Sequence, residues 1–325
     1  MKTTPIAKRD RILGGLWGSL VGDALGVPVE FRSRAEIQRQ PVTGMREYGT
    51  HHQPKGTWSD DGALLLCTVE SLVHARFDTQ DMGRRFVGWM NDALWSATGV
   101  VFDIEMATSD ALMRVASGTP AEEAGGQDER SNGNGSLVRI IPVALRFADE
   151  PLETFSQRIE RVSAITHGHD RSKMACVFFS LVVRRLLEGL QPEAALEAAR
   201  EEFRSLYQGS PEFVRFSHHL SDDFGAMAEE EIVSTGYVLH TLHAALWCLL
   251  TTDRYHDCAL KAVNLGGDTD TTGCVAGGLA GVAYGIQSVP PDWAAQLPHK
   301  EDLDRLCAGF CDLCCKDSTA GALTK

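Results

Sequence analysis

The sequence lacks a basic excess. Its 31 Lys and Arg are outnumbered by 44 Asp and Glu, giving a net charge of -13. That argues against a broad nucleic-acid surface or an anionic-membrane surface. It does not exclude a small phosphate-bearing ligand, because bound cations can reverse the charge locally. Also missing is an uninterrupted apolar run of the ~20 residues a membrane span needs. The opening MKTTPIAKRDR leads into a Gly-rich amphipathic stretch and not into a leader's apolar core. Strand-like alternation is scarce, and no solenoid repeat or long polar linker is found. The nine cysteines are odd in number and scattered, which excludes a paired disulfide framework. The expectation is a cytoplasmic monomer with reduced thiols and no membrane partner. It has one unit over 1–325: a core at about 11–293, then a C-terminal helix and loose tail over 294–325.

What is present reads as helix. Ile12, Leu13, Leu16, Trp17, Leu20 and Val21 share one side of a helix over Arg11–Gly26. The same spacing predicts helices over Ser59–His74, Thr79–Leu94, Asp103–Ala116, Leu137–Phe147, Ser172–Leu190, Pro192–Tyr207, Val238–Leu250 and Thr271–Gly285. Breaks fall at 41–56, 117–135 and 290–298. Two of the helices carry glycine every fourth residue: Gly14, Gly18, Gly22 and Gly26, and Gly273, Gly277, Gly281 and Gly285. A mid-helix glycine costs up to ~1 kcal/mol relative to alanine. Such ridges therefore imply that the two backbones pack closely. If the helices run antiparallel, Glu30 lies beside Asp268 and Asp270.

Carboxylates gather at two helix starts. Thr57-Trp58-Ser59-Asp60-Asp61 precedes an apolar helix, and Gly266-Gly267-Asp268-Thr269-Asp270-Thr271 opens the second glycine helix. Each can be read as a capped acidic start. Taken together, four aspartates with neighbouring hydroxyls are hard oxygen donors suited to Mg²⁺ or Mn²⁺. Left without cations they would repel one another. Asn132-Gly133-Asn134-Gly135-Ser136 is a Gly-rich turn that can present backbone N–H groups to a phosphate, or simply begin a helix. Asp23 is either a site group or a satisfied helix carboxylate. His167 is a ligand contact or a cap-region histidine. His218-His219 and Ser221-Asp222-Asp223 read as a solvated loop, and His240 and His243 as ordinary helix residues. Cys307, Cys311, Cys314 and Cys315 form a helix stripe with no second ligand pair for zinc.

In this order, the motifs Gly22-Asp23-Ala24-Leu25-Gly26 through Glu30, Trp58-Ser59-Asp60-Asp61, Gly133-Asn134-Gly135-Ser136, Thr166-His167 and Leu265-Gly266-Gly267-Asp268-Thr269-Asp270-Thr271 resemble the ADP-ribosylglycohydrolase family. The resemblance spans about Arg11 to Trp293. It implies an all-α, orthogonal multi-helix bundle. It also implies two Mg²⁺ or Mn²⁺ ions on Ser59, Asp60, Asp61, Asp268, Asp270 and Thr271. The implied substrate contacts are Asn134, Gly135, Ser136 and His167, with Tyr237 on the adenosine side. Glu30 or Asp103 is implied as the catalytic carboxylate, the choice between them open. The implied reaction frees ADP-ribose from an arginine side chain of a modified protein, as in the family's bacterial prototype. Serine-linked or small-molecule ADP-ribose, or binding without cleavage, are the alternatives. Two positions depart from the family pattern. Gly62 stands where Thr or Ser is common. Glu105 stands where the prototype has Gly after Phe102-Asp103-Ile104.

Overall fold

The computed structural model describes residues 5–320, with side chains described to Lys316. The loose tail expected after Lys316 is helical to Ala320, and its remainder lies outside the described residues. Among the described residues there are fourteen α-helices and no strand, only three isolated bridges. In order they are α1 (Lys8–Gly26), α2 (Arg34–Arg39), α3 (Asp60–Ala75), α4 (Thr79–Asp92), α5 (Met106–Ala116), α6 (Ile141–Phe147) and α7 (Leu152–Ser163). Then follow α8 (Asp170–Leu187), α9 (Pro192–Tyr207), α10 (Val238–Leu250), α11 (Tyr255–Asn264), α12 (Thr269–Tyr284), α13 (Pro291–Ala294) and α14 (Lys300–Ala320).

The glycine ridges meet, and α1 and α12 are antiparallel. A Cβ on Gly14 would lie 2.1 Å from the Gly281 carbonyl oxygen, one on Gly18 2.4 Å from that of Gly277, and one on Gly22 2.0 Å from that of Gly273. No side chain fits there, so each mid-helix glycine trades helix propensity for backbone contact. Polar bonds lock the pair along its length. Arg11 Nη1 donates to the carbonyls of Val282 and Ala283, satisfying orphan groups at the C-terminal end of α12. Tyr255 Oη donates to the Gly18 carbonyl at 2.8 Å, and Thr269 Oγ1 to that of Gly26 at 2.9 Å.

Contrary to the expectation that no stretch is long and apolar enough to span a membrane, Lys8–Val29 is so by length and composition. Of that stretch's most apolar window, 94% is buried inside the protein, so its apolarity builds the core. Most helix bounds agree with the spacing to within a few residues. The exceptions are α5, which starts at Met106 and leaves Asp103 outside, and α6, which starts at Ile141 with Pro142 in its first turn. Cys307, Cys311 and Cys314 are buried in the apolar stripe of α14. His219 departs from its expected solvated loop. It is only 3% exposed, packed among the rings of Phe178, Phe216, Phe224 and His243.

Candidate active site

The antiparallel pair brings the C-terminal end of α1 beside the N-terminal end of α12. Two backbone bonds fasten the junction: Phe31 N–H to the Gly267 carbonyl at 2.7 Å, and Gly267 N–H to the Arg32 carbonyl at 2.8 Å. Gly267 sits at φ +72°, and a Cβ there would meet the Ser234 carbonyl oxygen at 2.1 Å, so glycine is required. The start of α3 docks on the same place through Asp23. Its buried carboxylate accepts from Ser59 N–H at 3.0 Å and from Gly62 N–H at 2.8 Å. Asp23 is thus the satisfied helix carboxylate. Its carboxyl is pushed up to about 7 by burial, against those two bonds. Gly62 also finds its reason here. A Cβ would lie 2.8 Å from Trp58 and 2.9 Å from Asp23 Oδ2, so this departure from the family pattern concerns packing.

One cavity of about 180 Å³ is lined by Glu30, Asp60, Asp61, Asp103, Glu105, Asn134, Gly135, Asp268 and Thr271, among others. Single carboxylate oxygens of Glu30, Asp268 and Asp270 lie within 4.8 Å of one another. Asp61 Oδ2 and Asp268 Oδ1 are buried with no hydrogen-bond partner. Burial, and then the neighbouring carboxylates, push Asp60, Asp61 and Asp270 well above the ordinary aspartate range. Such groups either hold protons or hold cations. The donor set is all oxygen, which fits Mg²⁺ or Mn²⁺. The helix N-termini carrying the aspartates add their own positive dipole ends.

Around the cluster, Asn134 Nδ2 donates to Asp268 Oδ2 and to Thr241 Oγ1, both at 2.8 Å, fixing the free face of Asp268. Thr271 N–H donates to Asp270 Oδ1, and Ser59 Oγ accepts from Asp61 N–H as the cap of α3. Asp103 holds a left-handed backbone, φ +56°, a conformation aspartate tolerates better than most residues. Glu30, 4% exposed, bonds His51 Nε2 at 2.5 Å, and that nitrogen is 4.0 Å from Asp103. Burial first, then Asp270 and Asp103, push the Glu30 carboxyl up, while burial pushes the His51 imidazole down.

Two expected contacts lie elsewhere. Ser136 is fully buried, its hydroxyl between Ser163 Oγ at 3.0 Å and Cys176 Sγ at 3.4 Å, facing the core and away from the cavity. Tyr237 precedes α10, its ring against His240 and 5.9 Å from the Arg171 guanidinium, and its neighbour Gly236 is the residue that lines the cavity. His167 is buried and reaches the site only through Glu105, at 3.1 Å. His51 was missed because it stands in an irregular stretch with no periodicity or motif, and only the fold carries it to Glu30.

The family profile described as ADP-ribosylglycohydrolase matches residues 4–320. The chain belongs to the ADP-ribosylglycohydrolase family. It is 31% identical over 307 residues to the ADP-ribosylarginine hydrolase Tri1 of Pseudomonas putida (strain GB-1), covering 93% of this chain and 78% of that one. It is 30% identical to the ADP-ribosyl-[dinitrogen reductase] glycohydrolase of Rhodospirillum rubrum, covering 90% and 91%. A solved ADP-ribosylglycohydrolase-related protein complex superposes with a TM-score of 0.80 at 32% identity, over 94% of this chain and 99% of that one. The all-α architecture is that of this family, and the protein is an ADP-ribosyl hydrolase. The acidic cavity, built where the glycine ridges end, is where an ADP-ribosylglycohydrolase of this chain's geometry can gather cations.

Proposed function

We propose that this protein cleaves the N-glycosidic bond between ADP-ribose and an arginine side chain of a modified protein, with two divalent cations, Mg²⁺ or Mn²⁺, held by Ser59, Asp60, Asp61, Asp268, Asp270 and Thr271. The observation that carries the reading is the pair of orphaned, buried carboxylate oxygens, Asp61 Oδ2 and Asp268 Oδ1, at two facing helix starts. Leaving such atoms without a partner is costly, and a cation removes the cost. When bound, the cations supply positive charge that can hold ribose hydroxyls and favour ionisation of a water.

The chain's own groups do the rest. Glu30 is the proton acceptor for the water that adds at the anomeric carbon, and His51 Nε2 fixes its carboxylate. Asp103, on the same wall, pairs with the guanidinium and keeps the leaving nitrogens aligned. A C–O bond forms, the C–N bond breaks, and the departing guanidine takes the proton that Glu30 removed from the water. Developing charge on the sugar is stabilised by the surrounding carboxylates, as in other glycoside cleavages. Arginine is favoured by the Asp103 carboxylate and by two similar proteins, at 31% and 29% identity, that are ADP-ribosylarginine hydrolases.

The test is release of ADP-ribose from an arginine-ADP-ribosylated protein, with Mg²⁺ or Mn²⁺, with EDTA, and with Asp270→Ala. Release that needs the metal and is lost in the variant is the expected result. Normal activity of Asp270→Ala refutes the metal assignment. Release from serine-linked but not arginine-linked substrate refutes the arginine linkage.

A further inference from the structure

Glu105 stands in a place that the proposed reaction does not use. Its carboxylate nests in the hollow of the Gly133–Gly135 turn. An added Cβ at Gly133 would lie 1.7 Å from Glu105 Oε1, and one at Gly135 2.3 Å from Oε2. A relay of buried bonds holds it there. Arg139, fully buried, donates from Nη2 to Thr166 Oγ1 at 2.6 Å. The same Thr166 Oγ1 also pairs with His167 Nδ1, 2.7 Å away. The Glu105 carboxylate can only accept, so His167 Nε2 carries a hydrogen and donates to it at 3.1 Å. Thr108 Oγ1 donates to the same carboxylate at 3.0 Å. The group is therefore anchored, and it lines the cavity.

A glycine turn is the part of this site suited to a phosphate, because its backbone N–H groups can be approached closely. We infer that Glu105 is a specificity-determining residue that competes with the diphosphate of ADP-ribose for the Gly133–Gly135 turn, so that free product binds weakly and leaves. The inference rests on the reading of this cavity as an ADP-ribose site. An incoming diphosphate must expel a like-charged carboxylate and break its bonds to His167 and Thr108. A bonded macromolecular substrate can offset this through contacts beyond the cavity, which free ADP-ribose lacks.

The experiment is calorimetric titration of the full chain in Mg²⁺ with ADP-ribose, comparing wild type, Glu105→Gln and Glu105→Gly. Losing one charge-assisted hydrogen bond corresponds to about ten- to a hundredfold in affinity. Glu105→Gly should therefore bind ADP-ribose at least about tenfold more tightly. Glu105→Gln, which keeps the volume and an acceptor for His167 but drops the charge, should fall between. Inhibition of turnover by added ADP-ribose should strengthen in the same order. Equal or weaker binding by both variants, with unchanged thermal midpoints, overturns the competition and leaves the ADP-ribose site standing. Binding by none of the three proteins overturns the reading of the site, and the inference with it.

Discussion

Replacing His219 by phenylalanine should make the protein less sensitive to acid. His219 is pushed down to about 3, by burial first and then by His243, against its bond to the Leu239 carbonyl at 3.3 Å. His243 is pushed down to about 4, by burial and then by His218 and His240. The charged neighbour, Arg200, which donates to the His219 carbonyl, adds repulsion of the same sign. Both folded values lie below the ~6.5 of an unfolded chain. The unfolded chain therefore binds protons that the native one does not, and stability rises with pH through this window. It is whole above about pH 6.5 and is lost as pH falls toward the folded values. Each histidine contributes a slope of about 1.4 kcal/mol per pH unit, or about 2 kcal/mol between pH 6.5 and pH 5.

In His219→Phe the new ring joins Phe178, Phe216 and Phe224, and the bond to Leu239 is lost. The lost bond costs about 1 kcal/mol at pH 8. Since the variant keeps His243, the difference between the proteins carries the slope of one histidine. Wild type should be the more stable by about 1 kcal/mol at pH 8 and the less stable by about the same at pH 5, crossing near pH 6. Urea denaturation of both proteins at pH 8, 7, 6 and 5 with excess Mg²⁺ measures it. Taking the difference cancels the site carboxylates, whose raised values act in the opposite direction. Parallel profiles for the two proteins would refute the argument.

Three further variants test the packing and the site. Gly22→Ala puts a methyl group 2.0 Å from a backbone oxygen of α12, so it should cost about 3 kcal/mol or more in a denaturant midpoint. Gly309→Ala, on an exposed stretch of α14 with nothing within 4 Å, should instead gain up to about 1 kcal/mol. His51→Ala frees the Glu30 carboxylate and should lower kcat by about 10- to 100-fold, the usual cost of removing an orienting partner. Unaltered turnover in that variant would mean that Glu30 needs no such support.

What was legible in the sequence was whatever carried its own spacing. The two glycine ridges announced a backbone contact because each glycine is costly unless another backbone takes the place of its side chain. With an antiparallel arrangement that contact places Glu30 beside Asp268 and Asp270; the helices are antiparallel, and the carboxylates lie within 4.8 Å of one another. The helices α2, α7, α11 and α13 were not anticipated, α13 falling within the break expected at 290–298. α2 is short, ends in a charged stretch and is held by a capping box, Ser33 with Glu36, which lies outside any apolar periodicity. The same limit applies within the site. Asn134, Gly135 and Ser136 form one motif, yet Asn134 grips Asp268, Gly135 faces Glu105 and Ser136 turns into the core. Consecutive residues in a turn point in different directions, so a motif names a location and leaves the work of each side chain to the fold. His51 shows the converse. It has no local pattern, because the bond to Glu30 needs only that one irregular segment pass within reach of another. A site assembled from helix starts can be found by spacing; the partners that orient its charges come from loops, and loops are legible only once the helices have fixed where they run.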